Sequence, residues 1–394
     1  MRIYSWYSHL FVVWHYVMKF KPGHRPDYVF LSIFLILVVF GLLTLSSASS
    51  DLGKIKFNDT YYYVKHQLLY GFGFGIIGIF FASFFYYRHW QKFAVLLLLL
   101  GLIALALVFT PLGYRHASAN RWLNLGQFSI QPAEFLKFAF IIYLAAWLSP
   151  KSKDGDSFLL RRKSFWAGYL PFLIVSGIVA TLIIMQPSTT TIFIIMSSAI
   201  LIYFVSGAKM SYIFWTIVIG IVALGLVIYF TPYRLERIKD YLGRLSNPHG
   251  VNVEAGGYHL NQALIAIGSG GLNGVGFGKS TTKFKYLPEP IGDSIFAVVA
   301  EELGFIGAIS LIALFIGFFI RGFIIAKNSR DQFARLTVIG FISIIAIQAF
   351  IHIAAISGIV PLTGVPLPFV SYGGTSLAVF LTMVGVIVNI SKYT

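Results

Sequence analysis

GYHLNQALIAIGSGGLNGVGFGKSTTKFKYLPEPIGDSIFAVVAEELGF, residues Gly257–Phe305, joins two kinds of chain. Its first part is basic, aromatic and punctuated by glycine, and leads through Pro288-Glu289-Pro290 to one acid, Asp293. Its last part enters an apolar run, Ser294–Ile320, that carries Glu301 and Glu302. A run of that length lets a helix cross a hydrocarbon core of ~30 Å. Ionisable groups at such depth are costly unless paired or wetted, so these acids are the first functional candidates.

Working outward, the apolar half of that stretch recurs along the chain. Of 394 residues, 57% are hydrophobic and 11% charged, against roughly 25% charged in a soluble domain. The runs are solidly apolar rather than alternating, which favours helices over a membrane barrel. Ten spans are expected: Val29–Leu45, Leu68–Phe85, Phe93–Thr110, Ala133–Leu148, Trp166–Met185, Thr190–Ser206, Tyr212–Phe230, Ser294–Ile320, Leu336–Ile356 and Ser376–Ile390. The expected fold is an all-α polytopic membrane bundle of ten transmembrane helices, residues 28–391. An interfacial or tail-like N-terminal segment (1–27) precedes it and a short C-terminus (392–394) follows.

An even number of spans puts both termini on one side. With the termini inside, the short outer loops hold only Lys54, Lys56, Lys65, Arg115 and Arg121, and most other Lys and Arg fall inside. That bias predicts cytoplasmic termini and an outward-facing loop Thr231–Asp293. Lys151–Lys163 reads as a solvated cytoplasmic linker. Met1–Phe20 has no small-residue cleavage site, so the first span is expected to direct insertion.

The net charge is +16, from 30 Lys+Arg and 14 Asp+Glu. In a membrane protein this reads as anchoring charge, or as attraction for an anionic lipid-linked substrate, and not as a nucleic-acid site. With no cysteine, disulfides and thiolate metal sites are excluded. The loop 231–293 is longer than a plain connector and contains an apolar helical stretch, Leu260–Ile267. Its glycines lack the GxGxxG register and follow no strand, and no Walker sequence occurs, so nucleotide folds are rejected.

Asp293 precedes an apolar run in a Gly-Asp-Ser sequence, so it suits either a helix N-cap or a general base acting on a sugar hydroxyl. Glu301 lies about 80° from it around a helix of 3.6 residues per turn, so one of Glu301 and Glu302 is expected to share its cavity. Both also suit the balancing of a buried cation. Glu134 and Lys137 share a helix face and suit a self-neutralising pair; alternatively, Lys137 and Arg121 stand near a pyrophosphate, for which ammonium and guanidinium donors suit the oxyanions. Lys279, Lys283 and Lys285 add positive charge to the outer face.

Between the last two spans, Pro361–Ser376 holds three prolines and three glycines, yet it is mostly apolar. Irregular backbone at membrane depth must be buried in protein or line a cavity. Ser371, Gly373 and Gly374 either form a tight turn or offer hydroxyl and N–H groups to a ligand. His352 reads as a satisfied bundle histidine, with no second ligand at metal spacing.

Taken together, Asn120–Trp122, Gln131–Glu134, Tyr258–Gly278, Tyr286–Glu289 with Asp293–Gly304, and Pro366–Gly374 resemble the signatures of the SEDS family (shape, elongation, division, sporulation). The resemblance covers residues 28–391. Ala266–Gly271, Phe284–Glu289 and Asn389-Ile-Ser look more like the FtsW division branch than the RodA elongation branch.

The resemblance implies a peptidoglycan glycosyltransferase that polymerises lipid II outside the cytoplasmic membrane, with undecaprenyl pyrophosphate leaving and a β-1,4 linkage formed. It places the family's essential acid on Asp293. It implies substrate contacts at Arg121, Glu134, Lys137, Gln262, Ser269, Lys283, Lys285, Glu289, Glu302, Ser371, Gly373 and Gly374. A class B penicillin-binding protein is the implied partner, beside membrane lipid. A divalent cation, Mg or Mn, would suit the leaving group, although the sequence shows no dedicated cage.

The sequence departs from the family pattern in three places: Ser188 replaces an acid after Gln186-Pro187, Gly292 and Ser294 are changed neighbours of Asp293, and His352 stands where Asn is common. Two other readings stay open, a lipid-linked precursor flippase and a scaffold that activates a penicillin-binding protein. Charge near the bilayer centre, which only Glu301 and Glu302 supply, would favour transport.

Overall fold

The structure, a computed structural model, describes residues 24–394 except 117, 118, 125, 127, 128, 151–163, 247–254 and 285. The Met1–Phe20 segment, the Lys151–Lys163 linker and Lys285 therefore lie outside the described residues.

Each expected apolar run falls on a helix. In chain order these are α1 (Tyr28–Phe57), α2 (Tyr62–Phe84), α3 (Arg88–Leu107), α4 (Pro132–Trp147), α5 (Phe165–Ile184), α6 (Thr189–Val205) and α7 (Met210–Tyr229). After two further helices come α10 (Ile295–Asn328), α11 (Gln332–Ile356) and α12 (Gly374–Ser391). Among the described residues eight helices are long and apolar enough to cross a membrane. The other two runs, α4 and α6, are shorter, at 16 and 17 residues.

Two features add to the expected helical bundle. Outside the spans, β1 (Gly113–His116), β2 (Ala119–Asn124) and β3 (Ser129–Ile130) form a small antiparallel sheet in the order β1-β2-β3. Strands of 4, 6 and 2 residues are too short for a period-two pattern to show. The long loop also holds more helix than Leu260–Ile267, namely α8 (Pro232–Ser246) and α9 (Ala255–Ser269).

Helix α1 starts at Asp27, whose carboxylate accepts the Phe30 N–H at 2.9 Å and also pairs with Arg321 at 2.9 Å. It runs past Leu45 to Phe57 because its small polar residues are buried against partners, Ser47 above all. The central helices are α11 and α12; α12 lies along α2, and α11 packs on α4, α6 and α10. By contrast α7 buries only Ile213 and exposes apolar side chains on nearly every side, as a lipid-facing helix does.

The bundle's two ends differ. At one, the His24 N–H donates to the Lys392 carbonyl at 2.7 Å, and Asn389 links Tyr87 and Ser83, so the start of the described residues lies beside the C-terminal segment. The sheet, α8, α9 and the 361–373 connection meet around Asp293: Arg121 of β2 reaches Gln186, Arg237 of α8 reaches Leu362, and His259 of α9 reaches Ser294.

Candidate active site

Asp293 stands in a turn that other segments hold from several directions. Glu289 adopts a left-handed backbone (φ 45), and its carbonyl accepts the N–H groups of Gly292 and Ser294, each at 3.1 Å. The Tyr372 N–H donates to the Ile291 carbonyl at 2.8 Å, and the Ser371 hydroxyl donates to the Gly292 carbonyl at 2.7 Å. Ser371 also accepts the Leu367 N–H at 2.8 Å, so its hydroxyl is spent on joining two segments of backbone. The Ser294 hydroxyl donates to the Pro288 carbonyl at 2.7 Å and lies 2.6 Å from Nε2 of His259. Gly364 (φ 62) comes so close that a Cβ there would sit 3.1 Å from Oδ2 of Asp293.

The N-cap reading of Asp293 does not survive. Helix α10 begins at Ile295 with Ser294 in the cap position, and no side chain caps it. The Asp293 carboxylate is half-buried and accepts no hydrogen bond from a described residue. Burial, and then the negative charge of Glu289, push its pKa up to about 6, while Arg237 and Arg121 pull the other way.

The two arginines come from separate elements. Arg121, on β2, donates Nε to the Gln186 carbonyl at 3.0 Å and a terminal nitrogen to the Pro187 carbonyl. Arg237, on α8, donates to the Leu362 carbonyl at 3.2 Å. Arg121 was among the residues expected at the site, whereas Arg237 was not. Its signal was the i,i+3 spacing of Arg234 and Arg237 in an amphipathic stretch.

Glu134 and Lys137 form the pair expected from their spacing, but deep inside, with Lys137 only 1% exposed. Lys137 Nζ donates to Glu134 at 2.8 Å and to Gln348 Oε1 at 2.7 Å, and lies 5.6 Å over the Phe380 ring. Ser376 donates to the other Glu134 oxygen at 3.1 Å, and Gln348 donates to the Pro366 carbonyl at 2.9 Å. The network thus holds the 361–373 connection from beneath. His352 does the same at 2.7 Å from the Val365 carbonyl; since a carbonyl only accepts, Nδ1 carries the proton.

Neither Glu301 nor Glu302 shares the Asp293 cavity, which corrects the expectation from helical phase. Helix α10 is broken at Gly304 (φ 66, ψ −165). Around the break the Glu301 and Glu302 carbonyls accept N–H groups of Val275 and Gly276 at 3.0 Å, and Phe305 and Ile306 donate to Gly271 and Leu272. The glycine-rich segment is therefore laced to the helix, and its side chains satisfy both acids. Ser280, Thr281 and Thr282 bind Glu301. Lys283 pairs with Glu302 at 2.7 Å and spends its remaining protons on Ser47 and the Gly278 carbonyl.

Other expected contacts are dispersed. The Gly373 N–H donates to Gln67 at 3.1 Å, and Gly374 opens α12 against Gly71. Ser269 is exposed and donates to the Ala266 carbonyl at 2.8 Å, Gln262 is half-buried on α9, and Glu289 is exposed on the Asp293 turn. Ser188 bonds to Thr191 at 2.7 Å. Among the described residues no three His, Cys, Asp or Glu stand together to hold a metal ion.

Comparison with known proteins places this arrangement. Residues 27–394 match the family described as cell cycle protein, the FtsW, RodA and SpoVE group. Stage V sporulation protein E of Bacillus subtilis is 40% identical over 94% of this chain and 98% of its own. The probable peptidoglycan glycosyltransferase FtsW of Geobacter metallireducens is 33% identical over 96% and 97%. Among solved structures, a chain of a peptidoglycan synthase complex that coordinates polymerization and crosslinking superposes with a TM-score of 0.74 at 23% identity, covering 93% of this chain and 97% of that one. Rod shape determining protein RodA of Thermus thermophilus superposes with a TM-score of 0.66 at 24% identity, covering 93% and 96%. These two likenesses concern the fold.

Proposed function

The chain belongs to the FtsW/RodA/SpoVE cell cycle protein family, and from that premise we propose that it is a peptidoglycan glycosyltransferase with Asp293 as general base. One observation carries the assignment: a half-buried carboxylate, hydrogen-bonded by no described residue, lies in the field of two arginines on a turn stapled to the 361–373 connection.

The substrate in this reading is lipid II. The 4-hydroxyl of the GlcNAc of one lipid-linked disaccharide attacks the MurNAc anomeric carbon of the growing chain. As that C–O bond forms, the bond to the pyrophosphate breaks, its electron pair leaves with undecaprenyl pyrophosphate, and the α-linkage inverts to β-1,4. The hydroxyl proton passes to a carboxylate oxygen of Asp293. A sugar hydroxyl is too weak an acid to ionise first, so the base acts only as the bond forms. With its pKa pushed up to about 6, Asp293 is ionised at neutral pH and is a stronger base than an ordinary aspartate. Arg121 and Arg237 supply the guanidinium charge that a departing pyrophosphate needs.

The bundle is a multi-pass membrane protein. The loop charge bias supports cytoplasmic termini and an extracytoplasmic site. The partner in this reading is a class B penicillin-binding protein. A flippase loses its main support, because Glu301 and Glu302 are committed to Lys283 and to hydroxyl groups.

The test uses the purified protein in liposomes with labelled lipid II, alone and with its penicillin-binding partner. Glycan ladders made by the protein alone identify an enzyme. Ladders absent in both arms, with labelled lipid crossing the bilayer, would identify a transporter. Ladders absent without such crossing would leave a scaffold.

A further inference from the structure

Helix α9 brings His259 against the residue that follows Asp293. Its Nε2 lies 2.6 Å from the Ser294 hydroxyl oxygen, and that hydroxyl lies 2.7 Å from the Pro288 carbonyl. The proton positions follow from this geometry. The Pro288 carbonyl only accepts, so the single Ser294 hydroxyl proton points to it, and the histidine must donate. Nε2 therefore carries a proton, and the chain runs from Nε2–H of His259 to Ser294 to Pro288. Its two ends bracket the Asp293 turn: Pro288 precedes Glu289, and Ser294 adjoins Asp293.

No helix capping explains this contact, since the Ser294 side chain makes no cap hydrogen bond. Burial and the charge of Arg237 both disfavour the charged form of the histidine. It can therefore donate to Ser294 without placing a second cation beside Asp293. The charged groups acting on Asp293 are then Glu289 from its own turn, Arg237 from α8 and Arg121 from β2. The 361–373 connection adds the uncharged Gly364 and Ser371 and the backbone N–H of Tyr372.

We propose that His259 is a positioning residue for the reaction, fixing the Asp293 carboxylate through Ser294. The inference rests on the glycosyltransferase reading above. Loss of the bond would free the turn to admit water. The carboxylate would then lose both its aim at the acceptor hydroxyl and its enhanced basicity, while the arginines and the loops that bind lipid II would stay in place.

The experiment measures lipid II polymerisation by the full-length protein across pH, for wild type, His259→Ala, His259→Gln, Ser294→Ala and the double variant His259→Ala/Ser294→Ala. Glutamine places an amide N–H about where Nε2–H stands. One lost hydrogen bond corresponds to a rate loss of about 3- to 10-fold. His259→Ala is expected to lose that much in kcat with KM little changed, and the acid limb of its pH profile is expected to fall toward the ordinary carboxylate range. His259→Gln should recover both. Ser294→Ala should match His259→Ala, and the double variant should be no worse than either.

Wild-type behaviour in the two single alanine variants overturns the inference, as does a rate loss without movement of the acid limb. So do additive losses in the double variant or failure of glutamine to rescue. Should His259→Ala not fold, Ser294→Ala and His259→Gln decide it alone. A wild-type protein that makes no glycan, or an Asp293→Asn variant that makes it normally, would instead remove the glycosyltransferase reading, and with it this inference.

Discussion

The hydroxyl of Ser371 donates to the carbonyl oxygen of Gly292 at 2.7 Å, joining residues 79 positions apart in the chain. Through this bond the proline- and glycine-rich connection before the last helix fixes the turn carrying Asp293. Ser371→Ala strips the partner from a carbonyl and from the Leu367 N–H. An unsatisfied buried group costs about 1–3 kcal/mol. The variant is expected to melt earlier and to polymerise lipid II more slowly, as thermal melting in detergent and glycan ladders would show.

Activity and stability should respond to pH in opposite senses. Asp293 must be ionised to act as a base, so polymerisation is expected to rise as pH rises through about 6, the value to which its pKa is pushed. A carboxyl whose pKa is raised on folding holds its proton more tightly in the folded state. Its contribution to stability is therefore most favourable below the unfolded value of about 3.9 and declines as pH rises to about 6. Melting temperatures of wild type and Asp293→Asn, compared from pH 4 to 8, should converge at the acid end.

The buried pair Lys283–Glu302 should behave as a structural latch. Removing one partner of a buried ion pair costs about 3–5 kcal/mol, whereas replacing both by apolar residues is often near neutral. Lys283→Met is expected to destabilise the protein strongly, and Lys283→Met/Glu302→Leu to recover most of the loss. Equal melting of the single and double variants would refute the latch.

Gly304 breaks α10 in a left-handed conformation, and a Cβ there would lie 2.3 Å from the Gly274 nitrogen and 2.5 Å from the Leu272 carbonyl oxygen. Backbone strain alone costs about 1–3 kcal/mol, before the clash is counted. Gly304→Ala should therefore express poorly or melt well below wild type, while Gly317→Ala, on the same helix with room beside it, should not.

What the sequence made legible was the part governed by local composition. Apolar runs such as Leu336–Ile356 found their helices because length and hydropathy need no knowledge of neighbours. Asp293 was legible as a lone acid beside an apolar run. The partners of Glu301 and Glu302 were not, because helical phase assumes that Asp293 lies on the same helix, whereas α10 begins at Ile295 and the partners come from the glycine-rich segment before it. Arg237 was hidden among the charges of a long loop, and its approach to Asp293 depends on where α8 lies. The three-stranded sheet was hidden because each strand is shorter than a recognisable alternation.

The central claim is that one carboxylate accepts the proton of the attacking sugar hydroxyl. The most direct measurement compares purified wild type with Asp293→Asn on labelled lipid II at pH 7.5, each shown by thermal melting to be folded. A lost general base lowers the rate about 10²–10⁴-fold, so the account predicts a glycan ladder from wild type and almost none from the variant. A folded Asp293→Asn protein that builds glycan at the wild-type rate would contradict it.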